Sequence, residues 1–202
     1  MIPEHAAALQ PLLTRRSTAA LYPPAPTAEQ LDAILTAATS VPDHGGLQPW
    51  RFVVVSGDAR EAFGEALAEA AREANPGLDD GARERIRSKA FVAPALVAVA
   101  ARVDTTAKVP AWEQVASASC AGFAIALAAH QLGLGAIWKS APVHEGGAIE
   151  KALDLTPDDG FLGWVNIGHP GPERETLLRP TPDLAPLVRR LDPAGTPQPY
   201  RA

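Results

Sequence analysis

The run from Ala111 to Leu132 constrains the fold more than any other part of the chain. It carries no charged side chain between Val115 and Ala129, and its polar residues there are small. It is too long for a strand, so it is predicted to be a helix buried on nearly all sides, surrounded by other elements. A bilayer span is the competing use of an uncharged run. Alanine dominates this one, however, and Glu113 and His130 bracket a stretch shorter than the ~18 apolar residues that cross a hydrocarbon core. The run belongs to the interior of a folded domain.

A chain of 202 residues can supply those surroundings, because at this length roughly 70% of the unfolded surface is buried around one core. An apolar fraction of 47% and a charged fraction of 20% exclude a disordered, charge-extended chain. Eighteen basic against twenty-three acidic side chains leave a net charge of −5, so no global field favours nucleic acid or an anionic membrane, and neither is expected as a partner. Cys120 is the only cysteine, which excludes an intramolecular disulfide and a Cys-rich zinc site. Within its apolar helix it is expected as a small core residue. The thiol count, and an N-terminus (Met1 to His5) without the basic-then-apolar layout of a signal peptide, point to the cytoplasm.

Around the central helix the pattern predicts alternating elements. Residues 4 to 13 form a short helix carrying Leu9, Leu12 and Leu13. Thr27 to Gln30 has capping-box spacing ahead of a helical stripe of Leu31, Ile34, Leu35 and Ala38. Phe52 to Val55 is a strand, and Asp58 caps a helix with Ala62, Phe63, Ala66, Leu67 and Ala70 on one face. A charged helix at 79 to 88 precedes a buried strand at Ala95 to Ala101. Gly133 ends the long helix, followed by a strand at Leu134 to Trp138, a helix at 145 to 153 and a strand at Phe161 to Ile167. Eight prolines follow His169, so the tail is expected to be extended, with one short helical interruption at Leu184 to Leu191. The order implies an α+β fold, a single sheet with helices packed on it.

Most familiar site signatures are missing: there is no P-loop and no G-x-S-x-G elbow. Gly133-Leu134-Gly135 follows a helix instead of a strand and is not a dinucleotide loop. The five histidines never fall at i and i+4, so no metal site is expected. Two loops remain. Arg15-Arg16-Ser17 is either a solvated basic turn or a grip for a phosphate, since two guanidinium forks and a hydroxyl can bond one bidentately. Pro42-Asp43-His44-Gly45-Gly46-Leu47-Gln48-Pro49-Trp50 is either a rigid turn before a strand or a loop whose glycines admit close backbone approach.

Taken together, several segments resemble the nitroreductase family, in particular its short bacterial branch of NAD(P)H nitroreductases. They are Arg15-Arg16-Ser17, the capped helix start at Thr27, Pro42-Asp43-His44 running to Gln48-Pro49-Trp50, Val109 to Gln114, Gly133 to Ser140, and Gly163 to Pro170. The resemblance runs in order from residue 13 to residue 170.

That resemblance implies a nitroreductase-like fold with a central mixed sheet flanked by helices, in a homodimer with two FMN molecules at the subunit interface. Residues 1–170 would form a single FMN-binding domain and residues 171–202 a Pro-rich tail. Arg15, Arg16 and Ser17 would hold the flavin phosphate and ribityl chain. Ser40, Pro42, Asp43 and His44 would belong to the flavin site, the last three approaching from the other subunit. Trp138, Lys139 and Ser140 would line the ring; by default, however, the Lys139 ammonium reaches solvent. Ser40 stands where related sequences often carry an arginine, which removes one phosphate partner and lowers the expected FMN affinity. Ala128, Ala129, His130, Gln131, Leu132 and Gly133 would lie where NADH or NADPH binds. The implied activity is ping-pong hydride transfer from NAD(P)H to a nitroaromatic or quinone-like small-molecule acceptor. No catalytic side chain is required, because the flavin carries the chemistry. The alternatives are a flavin-dependent dehydrogenase or other reductase of the same superfamily, and a flavin- or ligand-binding regulator without turnover.

Overall fold

In the computed structural model, residues 4–140, 147–156, 158–171 and 182–200 are described, with nothing said of the side chains of 4–6. A 3-10 turn at Glu4–Leu9 leads into helix α1 (Gln10–Thr14), followed by strand β1 (Leu21–Tyr22) and helix α2 (Ala28–Ala38). The capping box forms as expected: Gln30 N donates to the Thr27 hydroxyl, and Thr27 N donates to Gln30 Oε1 at 2.9 Å. Strand β2 (Trp50–Ser56) precedes helices α3 (Ala59–Ala74) and α4 (Asp80–Arg87) and strand β3 (Ala95–Arg102). Asp58 does stand at the N-cap of α3, but its side chain makes no capping hydrogen bond; Asp79 caps α4 by accepting from Ala82 N. Ala62 is exposed instead of lying on the buried face of α3.

The long helix α5 (Ala111–Gln131) ends at Gly133, whose positive φ suits a residue without Cβ. Strand β4 (Gly135–Lys139), helix α6 (Gly147–Ala152) and strand β5 (Asp159–Pro170) complete the domain. The tail differs from expectation. Leu184 begins a single turn, and β6 (Arg189–Leu191) pairs with β7 (Pro197–Pro199) in a small antiparallel hairpin. Its turn is built by Asp192, which accepts from Ala194 N and Thr196 N, with Gly195 at positive φ.

The sheet runs β2-β3-β5-β4, with β1 pairing the C-terminal end of β5. Every ladder among the described residues is antiparallel, where a mixed sheet is expected from the sequence. The reason is an insertion. Through the α5 crossover, β3 and β4 run in the same direction, but β5 lies between them and pairs antiparallel with both. The one parallel pairing among the described residues is the isolated bridge between Ser17 and Ala136.

Alternation along the strands divides the core. Val97 and Val99 of β3 and Val165 and Ile167 of β5 face α2 and α5, whereas Leu96, Ala98 and Trp164 face α3 and α6. Trp164 anchors the second layer edge-on to Phe63, with ring centroids 5.5 Å apart. The sheet's far end is closed by Arg102, whose guanidinium grips the buried Asp159 carboxylate through two 2.7 Å hydrogen bonds.

Helix α5 departs from its expected burial. One stripe, Trp112, Ala116, Cys120 and Phe123, is exposed in the single chain, with Trp112 at 69%. Cys120 is thus a surface residue and not a core residue. Its neighbours on the stripe are apolar or small, so sequence alone does not distinguish this face from one covered within the chain.

Candidate functional site

Strand β4 is the edge on which six of the sequence-selected residues converge. Thr18 N donates to Ala136 O at 3.0 Å, which brings Ser17 against this edge. Backbone groups of a strand alternate sides, so those of Trp138 point to the same free edge, two residues beyond the bridge. Arg15, Arg16 and Ser17 therefore stand at one end of this edge and Trp138, Lys139 and Ser140 at the other. The two arginines also have local roles. Arg16 Nη1 donates to Leu13 O and Arg15 O, tying off the end of α1, and the Arg15 guanidinium lies 5.6 Å from the centre of the Phe123 ring.

Side chains of β4 diverge. Trp138 turns toward α5, where Gly122 leaves room for its ring, and its indole N–H donates to Leu162 O at 3.1 Å. Leu162 is the extra residue of a β5 bulge. Gly163 follows with φ +102°, and a Cβ there would lie 2.1 Å from Lys139 O, so only glycine keeps β4 on β5 at this point.

Lys139 lies on the opposite face, beside Trp164 in the register. There a cavity of about 400 Å³ opens between β4, β5 and the turn at Ser88–Phe91. Lys89, Val92, Lys139 and Ser140 line it together with Trp138, Trp164 and Asn166. Phe91 fixes the turn that carries Lys89, since the guanidinium groups of Arg60 and Arg87 lie 5.7 and 5.2 Å from its ring centre. Two polar atoms beside this cavity are buried without a partner among the described residues: Trp164 Nε1, a donor, and Asn166 Oδ1, an acceptor. A buried unpaired polar atom costs about 1–3 kcal/mol, which makes this donor and acceptor candidate partners for a bound group. Two lysines, a serine and the indole and amide pair are residue types that would fit the polar edge of a flavin ring. The sequence reading did not single out Lys89, Val92, Trp164 or Asn166. An asparagine within the otherwise apolar run Val165 to Ile167 was the one visible signal.

A second groove of about 380 Å³ lies between α2 and α5, lined by Ala33, Ala37, Ser40, Ala124, Leu127, Ala128, Gln131 and Leu132. It joins Ser40 to part of the 128–133 segment. Ser40 donates its hydroxyl back to Ala37 O. Ala129 is fully buried and faces the core, His130 meets the Thr14 hydroxyl at 3.1 Å, and Gly133 is exposed beyond the helix end.

The Pro42–His44 loop stands apart. Ser117 donates to Pro42 O, Asp43 accepts from Leu47 N and Gln48 N, and His44 Nδ1 lies 2.7 Å from Glu113 Oε2. Along α5, Glu113 and Phe123 are ten residues and so about 15 Å apart. One protomer thus does not bring His44 to Arg15.

Among the described residues, no helix is long and apolar enough to cross a membrane. The pattern of the nitroreductase family matches residues 12–169. YdjA of Escherichia coli (strain K12), which carries an NAD(P)H nitroreductase name, is 39% identical over 181 residues, covering 90% of this chain and 97% of its own. A nitroreductase-like protein from Bacillus cereus superposes with a TM-score of 0.72 at 22% identity, over 90% of this chain and 95% of that one. A Desulfovibrio desulfuricans nitroreductase solved in complex with FMN superposes with a TM-score of 0.68 at 26% identity, again over 90% and 95% of the two chains.

Proposed function

Because this chain belongs to the nitroreductase family, we propose that it is an FMN-dependent oxidoreductase that moves hydride from NADH or NADPH to a nitroaromatic or quinone-like acceptor. The observation that carries this reading is the β4 edge, with the Arg15-Arg16-Ser17 turn at one end and the cavity of Lys89, Lys139, Trp164 and Asn166 at the other. When bound there, FMN supplies the hydride-accepting and hydride-donating chemistry. The protein's residues bind and orient it. Arg15, Arg16 and Ser17 hold the phosphate and ribityl chain. Trp138, Lys139 and Ser140 line the ring, with Lys89 and Lys139 placing positive charge where negative charge gathers on reduction. The α2/α5 groove and the exposed end of α5 receive the nicotinamide.

Pro42, Asp43 and His44 complete the site from a second copy of the chain. Support comes from their separation from Arg15 within one protomer and from the apolar surface left open: Trp112 and Phe123 of α5, Leu12 and Leu13 of α1, and Leu9 just before it, each at least 42% exposed. Residues 1–170 act as the FMN-binding unit, and 171–202 as an appended tail. The site shared by donor and acceptor makes the kinetics ping-pong, the nucleotide leaving before the acceptor enters. Steady-state rates at varied NAD(P)H and quinone test this. Parallel double-reciprocal lines are expected, and intersecting lines contradict the shared site.

A further inference from the structure

His44 is held in a manner that a rigid turn does not require. Asp43 locks the loop by accepting from Leu47 N and Gln48 N at 3.1 and 2.8 Å, so its carboxylate is occupied. Gly45 and Gly46 take positive φ, and a Cβ at Gly45 would press on Val109 at 3.2 Å. The loop is thereby folded so that Glu113, in the first turn of α5, meets His44 Nδ1 at 2.7 Å. Among the described residues, Glu113 is the charged group that meets the ring. A carboxylate at Nδ1 fixes the tautomer: Nδ1 carries the hydrogen, and Nε2 is the nitrogen left to exchange a proton with another molecule. The histidine side chain is 67% exposed, and its partner Glu113 directly follows Trp112, the first residue of the open stripe of α5.

We propose that His44 is the proton donor to the electron acceptor and that Glu113 is the residue that positions it. This rests on the reading above, in which the loop completes the site of a second copy. A quinone becomes a hydroquinone by taking up two electrons and two protons. NAD(P)H supplies both electrons and one proton as hydride. The second proton leaves Nε2 of protonated His44 for the quinone oxygen, forming the O–H bond, and solvent reprotonates the ring.

Two measurements test the pair. Nitrogen NMR of histidine-labelled full-length protein at alkaline pH should show His44 as the Nδ1–H tautomer, changing to Nε2–H in Glu113→Ala. Turnover with a quinone, which needs the proton, is then divided by turnover with ferricyanide, which takes electrons alone. General acid catalysis is worth ~10²–10⁴-fold, and losing only its positioning should lower this ratio by about tenfold in Glu113→Ala. Glu113→Gln keeps an acceptor for Nδ1–H and should restore part of it. An Nε2–H tautomer in the wild type, or a ratio changed less than about twofold in Glu113→Ala, overturns the proposal alone. Absence of NAD(P)H oxidation with either acceptor in the wild type overturns it together with the proposed function.

Discussion

The indole of Trp138 fills the space that a side chain on Gly122 would occupy: a Cβ there would lie 2.4 Å from the ring. The contact links the centre of α5 to β4, the strand that carries part of the proposed flavin site. Gly122→Ala should therefore push the ring away, strain its hydrogen bond to Leu162 O and cost about 1–3 kcal/mol. Urea denaturation followed by tryptophan fluorescence measures the loss. FMN affinity should fall in parallel, because β4 moves with the ring.

The two lysines at the cavity should tune redox chemistry. If each ammonium contributes roughly 1.5–3 kcal/mol to a reduced, anionic ring edge, Lys139→Met and Lys89→Met should each lower the two-electron potential by about 30–65 mV. Equilibrium titration against a reference dye reads the midpoint. A shift below ~10 mV for Lys139→Met would mean that its side chain points to solvent.

Asn166 should separate stability from binding. Its Oδ1 is buried without a partner, so Asn166→Leu removes an unsatisfied acceptor at similar volume. The flavin-free protein should be as stable as wild type or more stable by about 1 kcal/mol, while FMN binds about tenfold more weakly. A residue kept only for the core would lose or gain in both assays together.

Acid should weaken the far end of the sheet through Asp159. Burial alone raises its pKa, but hydrogen bonds from Arg102 and Thr156 outweigh burial and hold it at about 2, below its ordinary 3.8. A depressed carboxylate stabilises the fold fully above 3.8, and the contribution is lost as pH falls toward about 2. The amount is roughly 2 kcal/mol. Asp159→Asn should remove this portion of the acid dependence in urea midpoints measured across that window.

The proposed phosphate grip makes a further prediction at the other end of β4. Arg16→Ala should weaken FMN binding by about 1.5–3 kcal/mol, and Arg15→Ala by a similar amount, while riboflavin, without the phosphate, binds wild type much more weakly than FMN. Since Arg16 also ties off α1, circular dichroism of the variant must remain native for the loss to report on the phosphate.

What was legible in the sequence followed local rules. Thr27 and Gln30 announce a helix start because their two hydrogen bonds span only three residues. The uncharged run of α5 announces a central helix, yet its open stripe is invisible, since Trp112 and Phe123 look the same whether covered by their own chain or by another. The antiparallel sheet was hidden because the insertion of β5 between β3 and β4 is a long-range choice. The cavity was half legible. Lys139 and Ser140 follow a strand with a family pattern, but Lys89 comes from a turn fifty residues earlier, and only folding brings it beside them. The tail hairpin is hidden behind its prolines, which favour an extended chain, although Asp192-Pro193-Ala194-Gly195 is turn chemistry.

The most direct test of the central claim is anaerobic addition of NADH or NADPH to the purified protein loaded with FMN, followed in the visible flavin band. Rapid bleaching by one equivalent of nucleotide per protomer, reversed by a quinone, is the predicted result. A bound flavin whose spectrum is unchanged by either nucleotide would contradict the account and leave a binding protein without turnover.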